Sequence, residues 1–133
     1  MVQIETNSVL TPTETQIRYN LYRKKSLSTV LLACAEEPCY ITELAARLSL
    51  NKLTVSHSVG YLENCGLIVA VSESHPEERV RTFLTVKKTQ LRKRLPADLA
   101  RDTAKRMNFY YITERGRGFL EHARKVIFGG EPL

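Results

Sequence analysis

The stretch from Ile41 to Ile68, ITELAARLSLNKLTVSHSVGYLENCGLI, constrains the fold more than any other part of the chain. Ile41, Leu44, Ala45 and Leu48 recur at helical spacing, with Glu43 and Arg47 on the other side. Ser49 and Leu50 follow, then Asn51, whose side chain can accept a hydrogen bond from an open amide of a new helix. From there Val55, Val59 and Leu62 recur at i, i+4 and i+7 as far as Asn64, and Gly66 stands where a left-handed helix stop belongs. The spacing predicts two short helices joined by a tight turn. The β-rich run Leu67-Ile68-Val69-Ala70-Val71 then predicts a strand.

The flanking segments predict further elements. Residues 13–24 place Ile17 and Leu21 on one side of a short helix beside Tyr22, and Ser26 to Ala35 reads as a more buried helix. The two are separate or continuous, and Glu36-Glu37-Pro38 ends the second. Ser72 to Glu78 is polar and reads as a loop. Arg79 to Val86 alternates, with Val80, Thr82, Leu84 and Val86 on one face, which predicts a half-exposed strand. Lys87 to Lys105 reads as a basic insertion, with Pro96 opening a short helix that contains Leu99. Asn108 to Ile112 is another strand. Thr113 caps a last helix whose stripe is Phe119, Leu120, Ala123, Val126 and Ile127. Gly116 and Gly118 are expected to serve the strand-to-helix junction and close helix packing.

At 133 residues the chain fits one domain. The division is an N-terminal arm and short helix (1–25), one domain (26–127) and a frayed tail (128–133). Within the domain lie the helix pair 41–64, strands near 67–71 and 107–113, a basic insertion 72–106, and a C-terminal helix 114–127. The class is α+β, mainly α. No apolar run approaches the roughly 18 residues that a membrane helix needs, and MVQIETNSVLTPTE lacks the basic start and apolar core of a secretory signal. A cytoplasmic, nucleoid-associated protein with no membrane contact is expected.

The formal charge is +6, and its distribution is uneven. Residues 1–66 carry six Lys/Arg and six Asp/Glu, whereas residues 79–106 carry ten Lys/Arg against Asp98 and Asp102. A local positive patch favours an anionic partner. Enzyme chemistry has little to stand on. His57, His75 and His122 form no ligand set, and Arg115-Gly116-Arg117-Gly118 lacks the Lys-Ser/Thr of a phosphate loop. Cys34, Cys39 and Cys65 have no zinc spacing and read as small apolar residues in a reducing compartment, with a redox-sensing thiol and a metal site of Cys34, Cys39 and His57 as the lesser alternatives. No metal, cofactor or catalytic residue is expected.

The segment Ile41 to Ile68 resembles the prokaryotic winged helix-turn-helix regulators of the MarR, ArsR and PadR groups. The resemblance rests on Glu43-Leu44-Ala45, the turn Ser49 to Asn51, Thr54-Val55-Ser56, and Leu62-Glu63-Asn64-Cys65-Gly66-Leu67-Ile68. Tyr111-Ile112-Thr113-Glu114-Arg115-Gly116 resembles the junction that follows the wing in that family. It implies a transcription regulator that binds double-stranded DNA as a homodimer, with residues 51–64 as recognition helix. Two departures stand out. Residues 72–106 far exceed a short wing hairpin, and the recognition helix has no outward arginine or glutamine.

With Val55, Val59 and Leu62 inward, the outer face predicted for DNA comprises Lys52, Leu53, Thr54, Ser56, His57, Gly60 and Tyr61. Arg79, Arg81, Lys87, Lys88, Arg92, Lys93 and Arg94 are expected on phosphates or in the minor groove. The stripe Phe119, Leu120, Ala123, Val126 and Ile127, with or without residues 13–24, is expected to form the dimer interface. Such a dimer sets recognition helices about 34 Å apart. The alternatives are a winged-helix protein-interaction module and a non-specific architectural nucleic-acid-binding protein.

Overall fold

The computed structural model describes residues 12–94 and 107–125. Helix α1 (Glu14–Arg23) opens with reciprocal caps. The Gln16 amide donates to Thr13 Oγ1 at 3.2 Å, and the Thr13 amide donates to Gln16 Oε1 at 3.0 Å. Extended Lys24 (φ −106°, ψ 101°) separates α1 from α2 (Lys25–Glu36), so these are two helices and not one. Helix α2 is the spine of the core. Its Leu27, Val30, Leu31, Ala33 and Cys34 are all buried.

Helices α3 (Ile41–Leu48) and α4 (Lys52–Asn64) form the tight pair that the apolar spacing predicts. Ser49 takes the left-handed conformation (φ 55°, ψ 42°), and the Leu50 amide returns to the Ala45 carbonyl at 3.0 Å. Asn51 caps α4 by accepting from the Thr54 amide at 2.7 Å. Val55, Val59 and Leu62 are buried as the spacing requires.

Strands β1 (Ile68–Val71) and β2 (Phe109–Ile112) pair antiparallel, Ile68 opposite Ile112 and Val71 opposite Phe109. Cys39 adds a single bridge to Tyr110, so the α2–α3 connector lies along β2. The helix that follows β2, here α6 because one helix intervenes between the strands, spans Glu114–Ala123. It begins at Thr113, whose Oγ1 accepts from the Gly116 amide at 3.0 Å and donates to the Gly66 carbonyl at 2.6 Å. At Gly116 a Cβ would collide with the Leu67 carbonyl oxygen, so only glycine lets α6 approach this closely. Gly66 itself has φ 77°. Gly118 does not share the packing role expected of it, because a Cβ there would meet nothing within 4 Å.

The main correction concerns residues 79–86. They form no strand but belong to a 17-residue helix, α5 (Glu78–Arg94). Val80 and Leu84 are buried in the common core, and the Lys87 stem and Leu91 continue the same stripe at helical spacing. Burying Val80 and Leu84 contributes about 1.5–3 kcal/mol each. Val86, expected on the same face as Val80 and Leu84, is exposed. The short helix expected after Pro96, the arm 1–11 and the tail 128–133 lie outside the described residues. The chain is thus α+β and mainly helical, with one core beneath α2, α4, α6 and the two-stranded sheet.

Candidate nucleic-acid interface

Helix α4 presents an outward face that the other described residues do not cover. Lys52, Leu53, Ser56, His57 and Gly60 are exposed, and Thr54 is half-buried. Leu53 stands out at 66% exposure, the most exposed of the large apolar side chains described. No acidic residue occurs between Lys52 and Leu62. At Gly60 a Cβ would meet nothing within 4 Å, so the chain's own packing does not require glycine there.

Tyr61 is placed differently from its neighbours. It is half-buried, and its hydroxyl accepts a hydrogen bond from Asn20 Nδ2 of α1 at 2.9 Å. Burial pushes its phenol pKa up, with the Asn20 hydrogen bond acting in the opposite direction. Behind it lies a cleft of about 360 Å³ lined by Asn20, Lys24, Ser26, Thr54, His57 and Tyr61, among others. Lys24, Ser26 and Asn20 are not among the sequence candidates. They reach this face because the chain breaks at Lys24, a tertiary effect that periodicity within one helix does not register.

The basic residues of α5 divide into several groups. Lys87 is a correction: it is only 8% exposed and does not present its charge to solvent. Its Nζ lies 2.8 Å from both Glu37 Oε1 and Glu43 Oε1, and it also donates to the Pro38 carbonyl. Burial disfavours its charge, yet the hydrogen bonds to Glu37 and Glu43 hold its pKa above the ordinary lysine value. Lys88 pairs with Glu73, which lowers the Glu73 pKa. Arg79 donates to the Glu36 carbonyl at 2.6 Å and stacks over Phe83, and Arg81 donates to the carbonyls of His75 and Pro76. Arg92, Lys93 and Arg94 are exposed, with no carboxylate within ion-pair distance among the described residues. Of these, Arg94 lines an open cavity with Tyr40 and Thr42, beside the start of α3.

The C-terminal stripe expected at a dimer interface is occupied within the chain. Phe119, Leu120 and Ala123 are buried in its own core, while Val126 and Ile127 lie outside the described residues. The guanidinium groups of Arg18 and Arg115 cover the Phe119 ring, at 5.7 and 5.2 Å from its centroid. Of the two elements expected to carry pairing, α1 keeps exposed large side chains, Tyr19 and Tyr22.

No described helix is long and apolar enough to cross a membrane. No family model, curated protein or solved structure matches this chain.

Proposed function

We propose that the chain is a winged helix-turn-helix transcription regulator that binds double-stranded DNA, with α4 entering the major groove. The observation that carries this reading is the outer face of α4. Five outward positions from Lys52 to Gly60 are exposed, unopposed by acid, and shaped by a glycine with open space above it. Solvated helix faces are ordinarily dominated by Lys and Glu, and this one is not.

Supporting features surround it. The element order from α2 through α6, with Cys39 bridged to β2 and a β1–β2 ribbon around α5, is compatible with the succession of elements in winged helices. His57 and Ser56 offer donors for base edges or phosphate, and Leu53 an apolar contact for a thymine methyl. Lys52 stands at the N-terminal end of α4, where open amides and the helix dipole favour phosphate. Lys24, across the cleft from Thr54, gives a second cation for the same strand. In this reading the wing is not a hairpin but α5, and Arg92, Lys93 and Arg94 are its cations toward the backbone.

Fluorescence anisotropy on random and genomic duplexes across a salt series tests the proposal. A steep loss of affinity with salt is expected, with some fragments bound at least roughly a thousandfold tighter than the rest. His57→Ala is expected to cost about 1–2 kcal/mol on preferred fragments. Salt-dependent binding without preference would make the protein architectural. Salt-insensitive, weak binding unaffected by His57→Ala would assign the α4 face to a protein partner instead.

A further inference from the structure

The cleft beside Tyr61 gathers hydrogen-bond donors that the chain itself leaves unused. Ser58 of α4 lines it and is only 4% exposed. Buried helical serines ordinarily bond back to a carbonyl of the preceding turn, as Ser28 does to Lys25 at 3.1 Å. Ser58 makes no side-chain hydrogen bond to any described residue, so its hydroxyl is left to whatever enters the cleft. Tyr61 stands in a similar position. Its hydroxyl oxygen accepts from Asn20, which leaves its own proton to donate.

Across the cleft, Lys24 and Ser26 come from the α1–α2 corner. Lys24 is exposed and has no carboxylate within ion-pair distance among the described residues. Helix α2 starts without a side-chain cap, so its first amides are open beside Ser26. Residues 15–35 contain Arg18, Arg23, Lys24 and Lys25 but no Asp or Glu, and no acidic residue occurs between Lys52 and Leu62. Both walls of the cleft therefore favour negative charge.

We propose that this cleft is an anion site that takes one phosphate group, with Lys24 as its cation and the hydroxyls of Ser26, Ser58 and Tyr61 as donors. Several hydroxyls and one ammonium group, set on two sides, suit a ligand with three acceptor oxygens. A phosphate has them, whereas a carboxylate has two. The volume of about 360 Å³ lies within the roughly 300–1,000 Å³ of small-ligand sites, so there is room for the group that the phosphate carries. That phosphate belongs either to a free ester or to a nucleic-acid strand lying against α4. The first source is independent of the DNA reading of α4, and the second rests on it.

The test titrates the isotope-labelled full chain with inorganic phosphate, read by amide NMR against sodium chloride at matched ionic strength. Saturable shifts are expected at Ser26, Thr54, Ser58 and Tyr61. Lys24→Gln and Ser58→Ala are each expected to weaken phosphate at least roughly tenfold, and Lys25→Gln, outside the cleft lining, less than about twofold. Lys24 is exposed and alanine is nearly isosteric with serine, so neither change disturbs the packing. Duplex anisotropy separates the two sources. If free phosphate does not saturate the cleft, but Lys24→Gln lowers the salt slope by roughly one and Lys25→Gln does not, the phosphate is a strand's. A chain that binds no duplex yet takes phosphate at these residues loses the DNA reading and keeps this site. The proposal is overturned if neither the amide shifts nor the slope responds, or if chloride reproduces the shifts. It is equally overturned if Lys25→Gln matches Lys24→Gln in both measurements.

Discussion

Asn20 Nδ2 donates to the Tyr61 hydroxyl at 2.9 Å, tying the first helix to the fourth across 41 residues of sequence. The bond fixes the edge of the α4 face from behind, since α4 is otherwise held by Val55, Val59 and Leu62 on its inner side. Tyr61→Phe removes the acceptor and leaves the ring in place. A loss of about 0.5–1.5 kcal/mol is expected in urea denaturation, and Asn20→Ala combined with it should add little more.

Gly60 separates stability from binding. With open space around the position, Gly60→Ala is expected to stabilise the chain by about 0.5–1 kcal/mol through helix propensity. On the proposal that α4 enters the major groove, the same change should weaken duplex binding in anisotropy, because the added methyl would stand between helix and groove. A variant that is both more stable and equally tight on DNA would remove Gly60 from the interface.

Lys87 ties α5 to the rest of the protein. Lys87→Met leaves the partly exposed Glu37 and Glu43 carboxylates facing each other without their shared donor, and a cost of about 1–3 kcal/mol is expected. Its pKa is raised in the folded chain, so its contribution is fully present below the ordinary lysine value of 10.5 and is lost as pH rises above that. The difference between wild type and Lys87→Met should therefore be flat across neutral and mildly alkaline pH. It should shrink only in strongly alkaline solution, as thermal melts at a series of pH values will show.

Gly116→Ala sets a methyl against the Leu67 carbonyl oxygen and against Ile112 Cγ1, the latter at 2.7 Å. Backbone stands on one side of that clash, so α6 must move away. A drop of at least about 2 kcal/mol in stability is expected, measured by thermal or chemical denaturation. Gly118→Ala, two positions on and in open space, is the control and should be neutral or slightly stabilising.

The exposed end of α5 is tested by charge. Replacing Arg92, Lys93 and Arg94 together by Gln is expected to reduce the salt slope of duplex binding by roughly one for each phosphate these side chains neutralise. Folding should change little, since all three side chains are exposed. An unchanged slope would take this end of the helix away from DNA.

The parts legible in the sequence are those written by one helix at a time. The pair α3–α4 is readable because Leu44, Val55, Val59 and Leu62 carry the helical period and Asn51 and Gly66 carry the boundaries. Residues 79–86 mislead because Val80, Thr82, Leu84 and Val86 satisfy a strand's alternation over so short a span. The longer stripe through Val80, Leu84, Lys87 and Leu91 is helical, but it counts a lysine among its buried members. The cleft beside α4 and the approach of Lys87 to Cys39 are not legible. Lys24 and Thr54, or Cys39 and Lys87, become neighbours only through packing between separate helices.

Because Val71 and Phe109 stand opposite each other, everything between them leaves and re-enters the sheet at one point. As topology, that excursion is detachable: a short turn would join the strands without disturbing their register. As electrostatics it is not. Excision would remove the ammonium group that separates two carboxylates whose oxygens lie within 4.8 Å of one another, leaving Arg47 against Glu37 among the described residues. A segment that looks like an appendage is thus a counterion to the scaffold that carries it.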